Sequence, residues 1–383
     1  MEPLQQEAPE EPDESFWFRP PWEAEPADAM PGLVPALRPD GPAGQGAAAD
    51  TAALLLPLAE ASAALARLDA RLACAAPDAA EGLRARLALR EAAGWLAHQR
   101  GTWIHPTDLG LREAGLTGSV TAAIMSGRLR RALPVTTADN VAGTTPDAVA
   151  EDHAVAEALQ FARWWRRLAE HRSWSPLTDP PALRHLLTQL GGQEPPEAVL
   201  ADWHAAFAGR PSATEPALLR AARASRAWAA WEYSGPIRAD RLPTVALFLA
   251  ACLWRRHGST PTLALPLWSA PPNRLEALAF AAGPAWLAGF LTAAAEAAQR
   301  TGQELTRLQT AAARAAALRC TARSHLPEAT AHALREPVLT AAGLATRLRI
   351  SPQAALGLLR QLVKAGVLQE TTGRAAWRAF GVA

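Results

Sequence analysis

The residues best placed to do chemistry lie near the end of the chain, in "LTAAGLATRLRISPQAALGLLRQLVKAGVLQETTGRAAWRAF", Leu339 to Phe380. Set at 100° intervals, Gln353, Gly357, Arg360, Gln361 and Lys364 share one side of a helix, and Ala355, Leu358, Leu359 and Leu362 share the other. Glutamine, arginine and lysine carry the donors and acceptors that read base edges in a major groove. Arg374 and Arg378 follow on a hairpin, suited to phosphate or minor-groove contact, with Trp377 expected to pack beneath it. Arg349 and Ser351, at the turn before the helix, complete the expected DNA-binding set. Leu356 and bare Gly357 thin the contact face, because a strong reader usually carries polar groups there.

The elements needed to hold these groups are signalled locally. Thr340 caps a helix from Ala341, "AAGLATRL", and "RIS" is the turn of a helix-turn-helix. Ser351 caps the second helix, and Pro352 takes its first position, where a missing N–H costs nothing. Gly366 stops that helix, and "VLQETTGRAAWRAF" reads as a hairpin turning near Thr372 and Gly373, a wing.

Charge follows the same division. Residues 1–50 carry eleven acids against two arginines, whereas Arg335 to Ala383 carry seven bases against two acids, a net of −9 and of +5. The basic end suits nucleic acid, and the acidic end suits a solvated arm. Other chemistries are excluded by what is missing. Lys364 is the only lysine, and it has neither the glycine-rich turn of a phosphate loop nor the setting of a Schiff-base amine. No G-x-S-x-G, G-x-G-x-x-G or H-E-x-x-H occurs. The nine histidines are scattered, and Cys74, Cys252 and Cys320 lack metal-ligand spacing, so no metal, cofactor or disulfide framework is expected. The uncharged run Ala277 to Ala295 is mostly alanine and is broken by Gly283 and Pro284, which argues against a membrane helix, and the cysteine usage with an acidic N-terminus lacking a basic-then-apolar signal leads to the expectation of a cytoplasmic protein.

The remaining chain predicts an all-α fold. Residues 1–50 read as an acidic, proline-rich disordered arm, whose "SFWFRPPWEAE" either docks on the body or binds a protein partner. An N-terminal helical domain is expected over 51–145, closing on the linker "NVAGTTPDAVAE". A central helical domain follows over 146–325, with two helices after Pro284, and the winged helix-turn-helix with its small β-hairpin spans 326–383. "FARWWRRLAEHRSW" reads as an amphipathic helix with Trp164 and Trp165 at a buried stripe and Arg163, Arg166 and Arg167 in water.

The order of these segments, from "REAAGWLAHQRGTWIHPTDL" through "GPIRADRLPTVALFLAACLWRRHG" to the closing helix-turn-helix, resembles an alphaproteobacterial family. Its members join a domain of unknown function to a C-terminal helix-turn-helix DNA-binding domain. More remotely the layout is similar to Fic-type proteins, which transfer AMP through an HPFxxGNGR motif. The matching stretch here is Gly235 to Pro243, where only Pro236 fits and Gly235 replaces the histidine base. Arg100 precedes Gly101 where the family's inhibitory glutamate would stand. The resemblance therefore implies a degenerate, catalytically inactive Fic-like body. The expectation is a regulator bound to double-stranded DNA, with a homodimer compatible with it. Two alternatives stay open: a protein-interaction module whose winged helix is structural, and a Fic-type transferase with a rebuilt site.

Overall fold

The computed structural model describes residues 46–116, 120–121, 148–170, 177–190, 195–209, 215–233, 244–258, 260, 262–281, 283–321, 323–372 and 378–383. Residues 1–45, most of "SVTAAIMSGRLRRAL", the start of the expected linker, Gly235 to Pro243, Arg374 and Trp377 lie outside them.

The fold is all-α with one small sheet. In chain order the helices are α1 (Gly46–Ala73), α2 (Pro77–Arg100), α3 (Pro106–Glu113), α4 (Ala148–Glu170), α5 (Pro180–Gln189), α6 (Glu197–Trp203), α7 (Ala217–Tyr233), α8 (Thr244–His257), α9 (Pro272–Phe280), α10 (Gly283–Ala316), α11 (Leu326–Arg335), α12 (Ala341–Leu348) and α13 (Pro352–Lys364). Strands β1 (Leu339–Thr340), β2 (Leu368–Glu370) and β3 (Ala379–Val382) pair antiparallel in the order β1-β3-β2. The register sets Leu339 against Phe380 and Gln369 against Gly381.

Alanine and leucine spaced for helix faces let the long helices approach closely. α1 lies along α10, α2 along α4, and α7 along α8. Buried Trp165, Trp228, Trp286, Phe161, Phe248 and Phe290 fill the space between them. One contiguous apolar cluster runs from Leu54 to Phe380, so the C-terminal elements share a core with the helical body. Trp165 is buried and Trp164 half-buried, whereas Arg163 and Arg167 are exposed and Arg166 pairs with Glu113 at 3.1 Å.

Two elements depart from those expected. α1 begins at Gly46, within the stretch read as arm. The region after Pro284 is one helix of 34 residues rather than two, because Gly302 is buried where Arg71 crosses to bond Thr306 at 2.8 Å. Glycine's low helix propensity is overridden there by packing.

Within "TPTLALPLWSAPPN" residues 262–271 are irregular apart from one 3-10 turn at Leu267–Ser269, yet Leu263 to Ala270 is buried. Buried irregular backbone must find partners for its polar groups, and side chains from the surrounding helices supply them. Asp69 Oδ1 accepts from the Thr262 N–H at 3.0 Å. Glu91 accepts from the Trp268 N–H at 3.0 Å and from the Ser269 hydroxyl at 2.6 Å. Arg300 donates to the Ser269 carbonyl at 3.3 Å.

Burial pushes the Glu91 carboxyl up to about 8, only partly offset by those hydrogen bonds and by Arg90. The folded protein thus holds a proton at neutral pH that the unfolded chain, with its carboxyl near 4.5, has released. Its contribution is full below pH 4.5 and is lost as pH rises through 8. His98, held down to about 4 by burial, acts oppositely below its ordinary 6.5. Above pH 6.5 the Glu91 effect is expected to be the larger, with stability falling by up to about 1.4 kcal/mol per pH unit. Glu91→Gln should flatten this slope, which urea denaturation at pH 6.5, 7.25 and 8 measures.

Candidate nucleic-acid interface

α12 and α13 are each set by a side-chain cap at one end and a backbone motif at the other. Thr340 Oγ1 accepts from the Gly343 N–H at 3.0 Å, and Ser351 Oγ accepts from the Ala354 N–H at 3.2 Å. Pro352 opens α13. α13 ends with the Val367 N–H on the Leu362 carbonyl at 2.9 Å, with Gly366 left-handed at φ 67°. Arg314, from α10, donates to the Gly366 carbonyl at 2.7 Å and ties this turn to the body. α12 ends in the same way, with the Ile350 N–H on the Ala345 carbonyl at 3.1 Å, but the left-handed residue is Arg349 at φ 53°. These are Schellman turns, in which glycine is the usual left-handed residue.

Among the described residues Arg349 is the only non-glycine with positive φ. A side chain there costs about 1 kcal/mol of backbone strain. Arg349→Gly is therefore expected to stabilise the fold by up to about 1 kcal/mol in a denaturant melt while weakening DNA binding. A loss of stability in that variant would show that Arg349 is retained for packing instead.

The two faces of α13 separate as the spacing requires. Ala355, Leu359 and Leu362 are buried, and Leu356, Leu358 and Val363 pack half-buried against the core. Gln353, Gly357, Arg360, Gln361 and Lys364 are all exposed. The side chains of Arg349, Gln353, Arg360, Gln361 and Lys364 make no hydrogen bond or ion pair with any described residue. The other expected contacts are placed differently. Ser351 is exposed but engaged as a cap, and Arg378 is half-buried with Glu370 at 3.8 Å. Arg347, which the spacing did not single out, is held by Glu336 at 2.9 Å.

A Cβ on Gly357 would meet nothing within 4 Å, so neither packing nor backbone geometry of this chain requires glycine there. Gly357→Ala is expected to raise stability by about 1 kcal/mol through helix propensity, measured by chemical denaturation.

β1 was not foreseen from the sequence. It places Leu339 beside Phe380 and closes the hairpin against the start of α12. The resulting order, helix, strand, helix, turn, helix and hairpin, spans Leu326 to Val382.

Residues 326–383 match the family described as HTH DNA binding domain. The chain thus carries a C-terminal helix-turn-helix DNA-binding domain whose matched segment begins with α11. No curated protein matches the chain.

Among the described residues, no group of three or more His, Cys, Asp or Glu could hold a metal ion, and no helix is long and apolar enough to cross a membrane.

Proposed function

We propose that this protein is a DNA-binding transcriptional regulator. α13 is its recognition helix, the β2–β3 hairpin its wing, and the helical body a scaffold without AMP-transfer chemistry. One observation carries the reading: within the matched domain, Gln353, Arg360, Gln361 and Lys364 line an exposed helix face and bond to no described residue. Ordering long polar side chains is favourable when phosphates or base edges take up their donors. Arg349, kept where glycine would be less strained, adds a cation at the start of that face. The scaffold role follows from Gly235, which stands where the Fic resemblance needs a histidine base. A reader of genomic DNA acts in the cytoplasm of a bacterial cell, and that location belongs to the same proposal.

The test is capture of sheared genomic DNA by the full chain, followed by mobility shifts on the enriched fragments. Enriched fragments should bind more tightly than random DNA of equal length, and affinity should fall steeply as salt rises. Failure to retain any DNA at about 50 mM salt, where non-specific phosphate contacts are strong, would overturn the reading.

A further inference from the structure

Between the helical body and the hairpin lies a cavity of about 570 Å³. Its walls come from α2, the start of α3, the Trp268 turn, α10 and the hairpin residues Gln369, Thr371, Gly381 and Val382. Among the described residues four guanidinium groups line it, Arg86, Arg90, Arg300 and Arg307, with Glu304 as the one carboxylate. Glu304 is shared, with Arg90 at 3.3 Å and Arg307 at 3.7 Å. Arg86 is committed to backbone carbonyls at the end of α11 and of Glu336 just after it, and Arg300 holds the Ser269 carbonyl. Among the described residues the lining thus sets one carboxylate beside four cations, with Glu296 and Glu336 acting on Arg300 and Arg86 from outside it, so the half-enclosed space itself carries an excess of positive charge. Burial, and then the nearby charge of Arg90, hold the Arg300 guanidinium below its ordinary range, with Glu296 offsetting part of the effect. Trp103, Trp268 and His98 also line the cavity, Trp103 half-buried and Trp268 buried with its ring 5.4 Å from that of His98, and burial keeps the His98 ring neutral.

We propose that this cavity binds a small organic anion, with its oxyanion group at Arg90, Arg300 and Arg307 and a flat apolar portion against Trp103 and Trp268. The volume is in the range of sites that enclose small molecules. Guanidinium forks match carboxylate and phosphate oxygens, which share this chemistry. Two elements of the DNA-binding domain, β2 and β3, contribute to the wall, so an occupant braces the hairpin against the body. Its effect on DNA affinity rests on the function proposed above; ligand binding itself does not.

The experiment uses the full chain without DNA and three probes on one ring: benzoate, phenyl phosphate and benzyl alcohol, at constant ionic strength. Binding is read by calorimetry and by the shift in melting temperature. At least one of the two anions should bind saturably and raise the melting temperature, and preference between them identifies the oxyanion. The uncharged alcohol should bind at least tenfold more weakly. Arg300→Gln should weaken anion binding by about tenfold or more, the loss of one charge-assisted contact. Arg307→Gln removes a mostly exposed side chain and should weaken binding severalfold while leaving the melting temperature of the unliganded protein unchanged. It therefore decides the matter even where Arg300→Gln fails to fold. Amide exchange at Gln369 to Thr371 and Gly381 to Val382 should slow when the anion is bound.

No binding by either anion would overturn the proposal, as would equal binding of the alcohol or anion binding unaffected in Arg307→Gln. None of these results bears on capture of DNA, so the two readings fail separately.

Discussion

Arg86→Met is expected to destabilise the protein by about 3–5 kcal/mol and to loosen the DNA-binding domain from the body. Arg86 Nη1 donates to the Leu334 carbonyl at 2.6 Å and to the Gly82 carbonyl at 3.1 Å. Nη2 donates to the backbone carbonyls of Glu336 at 2.8 Å and of Ala333 at 3.3 Å. Ala333 and Leu334 belong to the last turn of α11, whose carbonyls have no helical partner, so one side chain from α2 caps the helix that opens the matched segment. Burial lowers this guanidinium to about 10, offset in part by Glu304 and Glu336, so it remains charged at neutral pH. Methionine keeps the apolar stem but leaves those carbonyls without a donor. A second variant tests the same docking from the backbone side. A Cβ on Gly82 would collide with the Leu334 carbonyl oxygen, so Gly82→Ala, ordinarily stabilising within a helix, must displace α11 and destabilise. Arg335 offers the contrast: it pairs with Asp78 at 2.7 Å from a side chain 42% exposed, and Arg335→Gln should cost no more than about 1 kcal/mol. Equilibrium denaturation ranks the three, and amide exchange over α11 shows whether it has come free. A small loss in Arg86→Met together with a gain in Gly82→Ala would refute this account of the docking.

What could be read in the sequence is what is specified over a few residues. Thr340, Ser351, Pro352 and Gly366 each act within one turn of their own position, and the apolar spacing of α13 sorts its faces without outside help. The helical character of the body was legible for the same reason. β1 was not, because two residues become a strand only through Ala379 and Phe380, far along the chain. Nothing local in the sequence distinguishes Glu91 from an ordinary charge on an alanine-rich helix. Its burial depends on the irregular segment around Trp268, which folds over it from a remote part of the sequence. Arg86 and the cavity arginines were hidden likewise, since α2 and α10 bring them together only in the folded state. Composition signalled a basic C-terminus but could not show that arginines line a cavity between it and the body.

The largest effects on DNA binding are expected from α13, and its two cations should lose affinity in different ways. Arg360 and Lys364 are one helical turn apart on the exposed face, and neither bonds to a described residue. A guanidinium can engage two acceptors of a guanine edge, so Arg360→Ala should cost about 1–3 kcal/mol on the preferred sequence and little on random DNA. Lysine is a point charge suited to phosphate, so Lys364→Gln should weaken both DNAs alike and reduce the slope of log affinity against log salt by about one. Neither substitution touches the core residues Ala355, Leu359 and Leu362, so both proteins should melt like the parent. Gly357 lies between Gln353 and Arg360 on that face, where nothing in the chain opposes a side chain. If DNA closes on the helix there, Gly357→Leu will fold normally yet lose affinity for the preferred sequence, because the bulk holds Arg360 away from the base edges. Unchanged binding in Gly357→Leu together with unchanged specificity in Arg360→Ala would mean that α13 does not enter the groove by this face. Contact would then have to come from the hairpin and from Arg349.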